Sequence, residues 1–309
     1  MKSSSTKISR ELSRAADILN KDGVVGIPTE TVYGLAASIF SKEGISKIFK
    51  VKERPSFDPL IVHISNLHQK EDIVREWPAL AEILAKNFWP GPLTMVLKKN
   101  TKLNSMITSG LDTVGIRMPK HSVALELIDQ VGPLAAPSAN KFGKTSPTSA
   151  EHVKSEFKEE VFVLNGGTCE VGLESTVIAI EDTKILILRP GMISEKMLRD
   201  ATPHARISYA ESSASPGHLK HHYQPKIPLY IFEGEVSAET ISSQIQNQNW
   251  KELELDTSPA IAARQLYESM RKLSNKKLDA LIVLKKPNHS SADWLPIWDR
   301  LTRASSKTY

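Results

Sequence analysis

The segment Pro28-Thr29-Glu30-Thr31-Val32-Tyr33-Gly34-Leu35 follows directly on the apolar run Val24-Val25-Gly26-Ile27. The apolar run is typical of a buried strand, and the segment after it brings hydroxyl groups and a carboxylate to the end of that strand. Open sheets of α/β proteins bind ligands in the crevice beyond such strand ends. The segment therefore predicts an α/β fold in which the first strand leads to one wall of a ligand pocket.

Four further polar clusters occupy the same kind of position, each beside a β-like run. They are Lys52-Glu53-Arg54, Gly115-Ile116-Arg117, Ser138-Ala139-Asn140 and Ser175-Thr176. We expect all of them to converge with the first segment on one pocket.

Length and composition limit the possible classes of protein. With 309 residues, 40% of them hydrophobic, the chain can bury a large core, and two domains are expected. A net charge of +5 is compatible with an anionic ligand or nucleic acid and diagnostic of neither. The single cysteine, Cys169, excludes an internal disulfide framework and fits a reducing compartment. Because no run has the length of a membrane span or the core of a signal peptide, we expect a cytoplasmic protein with no membrane contact.

The periodicity of apolar residues divides the chain into three parts. Residues 1–205 alternate between helical and strand-like patterns and predict a mixed α/β domain. Residues 206–227 have no apolar periodicity and predict a linker, long enough to be ordered rather than a simple tether. Residues 228–309 alternate β and α patterns, which predicts a small domain with a parallel sheet.

Three strand-like runs stand close together near the end of the first domain, at residues 161–164, 175–180 and 184–188. Short connections favour antiparallel neighbours, so we expect these three strands to lie side by side.

Several familiar motifs fail when they are tested. Gly143-Lys144-Thr145 resembles the end of a phosphate-binding loop, but Ser138 stands where that loop requires glycine. Ser138 and Lys141 form an S-x-x-K pair without the companion motifs of serine hydrolases. No G-x-G-x-x-G is present. The linker histidines at 218, 221 and 222 have no cysteine or carboxylate at ligand spacing, which favours a contact surface over a metal site.

Cations, hydroxyl groups and one amide at strand ends remain as candidates for chemistry. Arginine forks match phosphate and carboxylate oxygens, so three arginines and a lysine could neutralise a triphosphate and a carboxylate. No paired carboxylates or Ser/His/Asp arrangement suggests hydrolysis. Positioning and charge neutralisation, as in transfer to a nucleotide phosphate, need neither. The residues concerned are Lys52, Arg54, Arg117, Arg189, Ser138, Asn140, Thr148 and Ser175.

In these motifs and their order the sequence resembles the YrdC-like threonylcarbamoyl-AMP synthases, in their two-domain long form. The resemblance implies an N-terminal YrdC-like twisted mixed or antiparallel sheet with flanking helices, joined by an ordered linker to a smaller C-terminal Rossmann-like α/β domain. The matching segments are Pro28 to Leu35, Lys52-Glu53-Arg54-Pro55 with Pro59-Leu60, Trp89-Pro90-Gly91-Pro92-Leu93-Thr94, Val114-Gly115-Ile116-Arg117, Ser138-Ala139-Asn140, Ser175-Thr176-Val177 and Arg189-Pro190-Gly191.

The resemblance also implies an activity, that of a nucleotidyltransferase. Such an enzyme makes L-threonylcarbamoyladenylate from L-threonine, bicarbonate and ATP and releases pyrophosphate. The product serves the modification of tRNA next to the anticodon, which implies tRNA or a downstream threonylcarbamoyl transferase complex as partner. Magnesium is implied with ATP, bound to its phosphates, and no metal-ligating or catalytic residue is assigned.

Site residues follow from the same resemblance. Threonine would be held by Thr31, His63, Arg117 and Ser175. ATP would be held by Lys52, Arg54, Asp58, Thr113, Ser138, Asn140, Thr148, Arg189 and Tyr223. The linker would fold over the nucleotide as a lid. Because residues 218–221 depart from the family pattern, the resemblance assigns contacts of the lid only to His222 and Tyr223.

Two other functions stay open. One is an RNA-binding or ribosome-maturation factor that uses the same concave basic surface without catalysis. The other is a carbamoyl-transfer module that uses a carbamoyl donor in place of bicarbonate. It ranks lower because such modules usually accompany acylphosphatase-like and zinc-finger segments, which a chain with one cysteine lacks.

Overall fold

Two sheets organise the part of the chain that the computed structural model describes, residues 2–210, 222–246 and 248–309, with side chains from residue 8 onward. The strands of the large sheet are β1 (Val25–Ile27), β2 (Gly34–Ser38), β3 (Ile61–His63), β4 (Leu93–Lys98), β5 (Thr113–Arg117), β6 (Leu134–Ala135), β7 (Phe162–Val163), β8 (Thr176–Glu181), β9 (Lys184–Arg189) and β10 (Arg206–Tyr209). Across the sheet they follow the order β10-β9-β8-β4-β5-β3-β6-β2-β1-β7, with parallel and antiparallel neighbours mixed.

Helices cover this sheet and close its core. They are α1 (Lys2–Asn20), α2 (Lys42–Lys52), α3 (Ala79–Phe88), α4 (Ser122–Val131), α5 (Ala150–Phe157) and α6 (Glu195–Ala201). The α2 helix shows how the sequence defines such an element. The Ser41 side chain caps its first turn by accepting a hydrogen bond from the Gly44 amide at 2.8 Å. Ile45 and Ile48 are buried in the core, and Glu53, in the left-handed conformation, ends the helix.

The opening segment of the sequence forms the connection between β1 and β2, which are antiparallel, with Ile27 paired to Gly34. Thr29 stabilises this turn, because its Oγ1 accepts from the Thr31 and Val32 amides and donates to the Val32 carbonyl oxygen at 2.6 Å. The side chains between the two strands are thereby fixed at the sheet.

The second domain has a four-stranded sheet in which all described neighbours are parallel, in the order β12-β13-β11-β14. Its strands are β11 (Leu229–Glu233), β12 (Trp250–Glu252), β13 (Ala280–Lys285) and β14 (Lys307–Thr308). Its helices are α7 (Ala238–Gln244), α8 (Pro259–Ser274) and α9 (Leu295–Ala304). Val32 and Leu173 of the first domain pack into its core beside Leu266 and Ile297, so the two domains share an apolar interface.

The α/β class and the parallel sheet of the second domain are confirmed, but two expected details are wrong. β7 does not lie beside β8 and β9: it pairs with β1 at the opposite edge of the large sheet. The connection at 164–175 is long enough to cross the molecule, so the rule for short connections does not apply. Residues 206–209, assigned to the linker, form β10 and pair with β9.

Residues 211–221, including the linker histidines at 218 and 221, lie outside the described residues. Within the described ranges, no helix combines the length and the apolar character that crossing a membrane requires.

Candidate active site

A pocket lies over one face of the large sheet. Alternate residues of a strand point to the same face, and the pocket is lined by such alternating positions on β3, β4 and β5. Most of the expected site residues line it, namely Thr31, Arg54, Asp58, His63, Thr113, Arg117, Ser138, Ser175, Arg189, His222 and Tyr223. The polar clusters that are far apart in the sequence therefore meet here.

Arg117 is a buried cation of the pocket with three neighbours. Its Nε donates to the Gly91 carbonyl oxygen at 3.2 Å, and its Nη1 donates to Thr31 Oγ1 at 2.9 Å. Its Nη2 lies 2.7 Å from Glu30 Oε1, and both side chains of this ion pair are buried. Two hydrogen bonds and one ion pair therefore orient the guanidinium before any ligand arrives. Glu30 was not among the expected ligand contacts.

Ser175 is held by two neighbours. Its Oγ lies 2.8 Å from Thr94 Oγ1 and accepts from Arg189 Nη2 at 3.2 Å, while Arg189 Nε donates to the Ser175 carbonyl oxygen at 3.1 Å. Gly191 allows this approach: a Cβ added there would lie 2.7 Å from Thr176 Oγ1. Thr94 is a pocket residue that sequence reasoning missed, although it ends one of the quoted motifs.

His63 lies on the floor of the pocket and is buried. Burial, and then the positive charge of Arg117, lower the pKa of His63 from 6.5 to about 3. The imidazole is therefore neutral at physiological pH. Its Nδ1 lies 3.3 Å from the Ile61 carbonyl oxygen, which favours the tautomer in which Nδ1 carries the proton and Nε2 accepts.

Arg54 and Asp58 form a buried pair at another side of the pocket. Arg54 Nη2 lies 2.8 Å from Asp58 Oδ2, and the same guanidinium donates to the carbonyl oxygens of Asp58 and Pro59. Burial raises the pKa of Asp58, and the charge of Arg54 opposes that change. The pair thus presents a cation whose position is defined by the loop that carries it.

Three expected ATP contacts are absent from the described lining of the pocket: Lys52, Asn140 and Thr148. Lys52 Nζ donates to the carbonyl oxygens of Ser138 and Asn140. The Asn140 amide donates to the Lys144 carbonyl oxygen at 2.8 Å. The Lys52 and Asn140 side chains brace the loop behind Ser138. Direct contact of Lys52, Asn140 and Thr148 with a nucleotide stays a prediction.

His222 and Tyr223, expected as a lid, lie at the pocket. Their rings are edge to face with centroids 4.1 Å apart, and Tyr223 stacks on Tyr267 of the second domain at 5.9 Å. Main-chain bonds anchor the segment, because the Gln224 amide donates to the Gly143 carbonyl oxygen at 2.8 Å. Burial lowers the pKa of His222 to about 3, so its ring is neutral.

Glu174 also lines the pocket and was not expected there. Its carboxylate accepts from Ser146 Oγ at 2.6 Å, from the Tyr267 hydroxyl at 2.9 Å and from Arg300 Nε at 2.9 Å. Burial alone would raise the pKa of Glu174, but Arg300, Arg189 and these hydrogen bonds lower it to about 2. A carboxylate that is charged at physiological pH therefore joins the two domains behind Ser175.

Comparison with known families accounts for both domains. Residues 17–191, more than half of the chain, match the family model Sua5_yciO_yrdC, described as telomere recombination. Residues 192–306 match the model described as threonylcarbamoyl-AMP synthase, C-terminal domain. The chain belongs to the YrdC-like threonylcarbamoyl-AMP synthase family. The expected family and the expected two-domain fold are therefore confirmed.

Members of this threonylcarbamoyl-AMP synthase family resemble the chain over most of its length. The threonylcarbamoyl-AMP synthase of Bacillus subtilis is 37% identical over 325 aligned residues, which cover 96% of this chain and 93% of the relative. That of Pyrococcus abyssi is 42% identical, covering 71% and 67%. The crystal structure of P. abyssi Sua5 complexed with L-threonine superposes with a TM-score of 0.86 at 32% identity and covers 96% of both chains. These relatives indicate that the chain is an enzyme.

Proposed function

We propose that this chain makes L-threonylcarbamoyladenylate from L-threonine, bicarbonate and ATP and releases pyrophosphate. The observation that carries the proposal is the match, over 96% of both chains, to a relative crystallised with L-threonine. The pocket supports it, because buried cations, hydroxyl groups and a neutral imidazole surround a space over the sheet. The enzyme would thus be a nucleotidyltransferase.

Arg117 is the proposed partner of the threonine carboxylate. Its guanidinium is buried, so an ion pair formed there is weakly screened by water and stronger than one on the surface. Glu30 and the Gly91 carbonyl oxygen hold the guanidinium in place. Ser175 and the neutral His63 are proposed to bind the polar groups of the same substrate.

The proposed reaction has two steps. The threonine amine attacks the carbon of bicarbonate, and loss of water leaves a carbamate. A carbamate oxygen then attacks the α-phosphorus of ATP, the bond to the bridging β-phosphate oxygen breaks, and pyrophosphate leaves. Arg54 and Arg189 are proposed to stabilise the phosphate charge, and the lid formed by His222 and Tyr223 to limit the access of water to the carbamate.

Magnesium is proposed to enter with ATP, bound to its phosphate oxygens. The residues present do not fit an ion held by the protein, since the pocket carboxylates Asp58 and Glu174 are paired with Arg54 and Arg300 at 2.8 and 2.9 Å. No cluster of three or more His, Cys, Asp or Glu side chains suited to a metal occurs within the described ranges.

The product is proposed to serve threonylcarbamoyladenosine formation in tRNA next to the anticodon, with tRNA or a transferase complex as the receiving partner. A reaction that supplies tRNA modification from ATP suits the cytoplasm, which is the compartment we propose.

The test is pyrophosphate release by the purified protein with threonine, bicarbonate, ATP and magnesium. We expect release that requires threonine and bicarbonate, with alanine and serine as control amino acids. If no pyrophosphate is released, or if alanine and serine support the same release as threonine, the proposed synthase activity is refuted. If the same protein then bound tRNA with a strong salt dependence, the non-catalytic RNA-binding alternative would be favoured.

A further inference from the structure

Arg300 lies on α9 of the second domain, yet its side chain is fully buried against the pocket of the first. Nη2 donates to the Glu174 carbonyl oxygen at 3.3 Å, and Nη1 donates to the Pro190 carbonyl oxygen at 2.7 Å. The first carbonyl belongs to the peptide bond that leads into Ser175. The second lies one residue after Arg189. One guanidinium therefore joins the two main-chain segments that carry two pocket residues.

The remaining contacts of Arg300 extend this connection. Nε donates to the Glu174 carboxylate at 2.9 Å, and Nη1 also donates to Asp299 at 2.8 Å. The guanidinium carbon lies 5.6 Å from the centre of the Tyr223 ring, within the range of a cation–π contact. Arg300 thus contacts Tyr223 of the lid as well as the segments that carry Ser175 and Arg189.

We propose that Arg300 is a positioning residue for the reaction, through which the second domain sets the relative placement of Ser175, Arg189 and Tyr223. The inference rests on the proposed function, whose pocket it concerns. The planar fork of arginine can bridge two carbonyl groups and a carboxylate at fixed angles, whereas lysine offers a single point charge. The second domain accordingly completes the active site of the first.

The kinetics of an Arg300 variant should differ according to whether Arg300 only pairs with Glu174 or positions other residues. If Arg300 served only to neutralise Glu174, its replacement would lower stability and leave the folded fraction with normal kinetics. If it positions Ser175 and Arg189, the folded protein itself loses catalytic efficiency, because displacements of the order of 1 Å in a site can cost about 100-fold in rate.

The experiment compares Arg300→Lys with wild type and with Thr302→Ala, an exposed position on the same helix. Arg300→Lys keeps a positive charge near Glu174 but cannot bridge both carbonyl groups. At temperatures well below unfolding, we expect kcat/KM for threonine and for ATP to fall by about tenfold or more. Thr302→Ala should retain the wild-type values. Wild-type kinetics in Arg300→Lys would overturn the proposal.

A second variant distinguishes loss of positioning from loss of stability. Removing only one member of a buried ion pair is strongly destabilising, whereas removing both charges is often tolerated. In the double variant Glu174→Gln with Arg300→Met we expect higher stability than in Arg300→Met alone, with kcat/KM about tenfold or more below that of Glu174→Gln alone. Recovery of the kinetics together with the stability would show that Arg300 only pairs with Glu174.

Hydrogen exchange measured by mass spectrometry separates this inference from the proposed function. In Arg300→Lys, we expect faster exchange in peptides covering 174–176 and 189–191 than in Thr302→Ala. If wild type releases no pyrophosphate, the proposed function fails while the exchange result still tests the positioning. If pyrophosphate release is normal in wild type and exchange is unchanged in Arg300→Lys, the positioning claim is wrong.

Discussion

The Glu30 carboxylate is the counter-charge of Arg117, the cation that we propose to bind threonine. Both side chains are buried and 2.7 Å apart. In Glu30→Gln the guanidinium loses its counter-charge. We expect the free energy of unfolding to fall by about 3 kcal/mol, measured by chemical denaturation, because breaking a buried ion pair is costly. We also expect weaker threonine binding by calorimetry. Glu170→Gln, at an exposed position, is the control; equal values in both variants would contradict the prediction.

His63 makes a prediction about pH. Its pKa is lowered to about 3, so the ring stays neutral from pH 5 to 8 and no titration of His63 should appear in that range. Because the folded pKa lies below 6.5, its contribution to stability is complete above about pH 6.5 and is lost as the pH falls towards 3. We expect the threonine dissociation constant to lack an inflection near pH 6.5. An inflection that disappears in His63→Asn would refute this assignment.

At the scale of single residues, sequence predicted the ligand-facing groups better than their supports. Arg117 and Ser175 stand in motifs at strands and were expected in the pocket, where they lie. The pairing of Glu30 with Arg117 and the positions of Thr94 and Glu174 in the pocket were not, because a side chain is recognised as a counter-charge or a hydrogen-bond partner only when the fold brings its partner within reach. Arg117 for Glu30, Ser175 for Thr94 and Arg300 for Glu174 are each 81 or more residues away in the chain.

The contact between helix α8 and the loop before β8 depends on Gly172. Its φ is +78°, and an added Cβ would lie 2.5 Å from Arg264 Cα. Gly234 has nearly the same φ, +80°, with open space around it. We expect Gly234→Ala to cost about 1 kcal/mol from backbone strain. Gly172→Ala should cost about 1–3 kcal/mol more, because the helix backbone has to move.

Thermal and chemical unfolding of both glycine variants would measure this difference. Equal losses of unfolding free energy in the two variants would show that α8 moves at little energetic cost. A larger loss in Gly172→Ala, accompanied by a lower kcat/KM, would show that the loop carrying Glu174 follows α8.

Secondary structure elements were predictable where their own residues determine them. The strands expected at residues 175–180 and 184–188 follow from their apolar runs, and the structure places β8 and β9 there to within one residue. The positions of β7 and β10 in the sheet were not predictable. The neighbour of a short strand depends on which other segments cover its edge, and those segments are distant in the sequence.

At the scale of the whole molecule, Glu174 makes the stability of the fold depend on pH in the acid range. Its pKa is about 2 in the folded protein against 4.5 in the unfolded chain, so its contribution is present above pH 4.5 and is lost as the pH falls through 2. We expect the melting temperature of wild type to fall more steeply between pH 4.5 and 2.5 than that of Glu174→Gln. Glu254→Gln, at an exposed position, should follow wild type. Parallel curves for all three would contradict the prediction.

The position of Arg300 bears on the order of events during synthesis. Pocket residues from Thr29 onward leave the ribosome first, but the side chain that bridges Glu174 and Pro190 follows more than a hundred residues later. Contacts so distant in sequence form slowly, since the chain must close a long loop before they contribute. We therefore expect a nascent chain arrested before residue 300 to form most of the large sheet and to bind threonine, the proposed substrate, weakly.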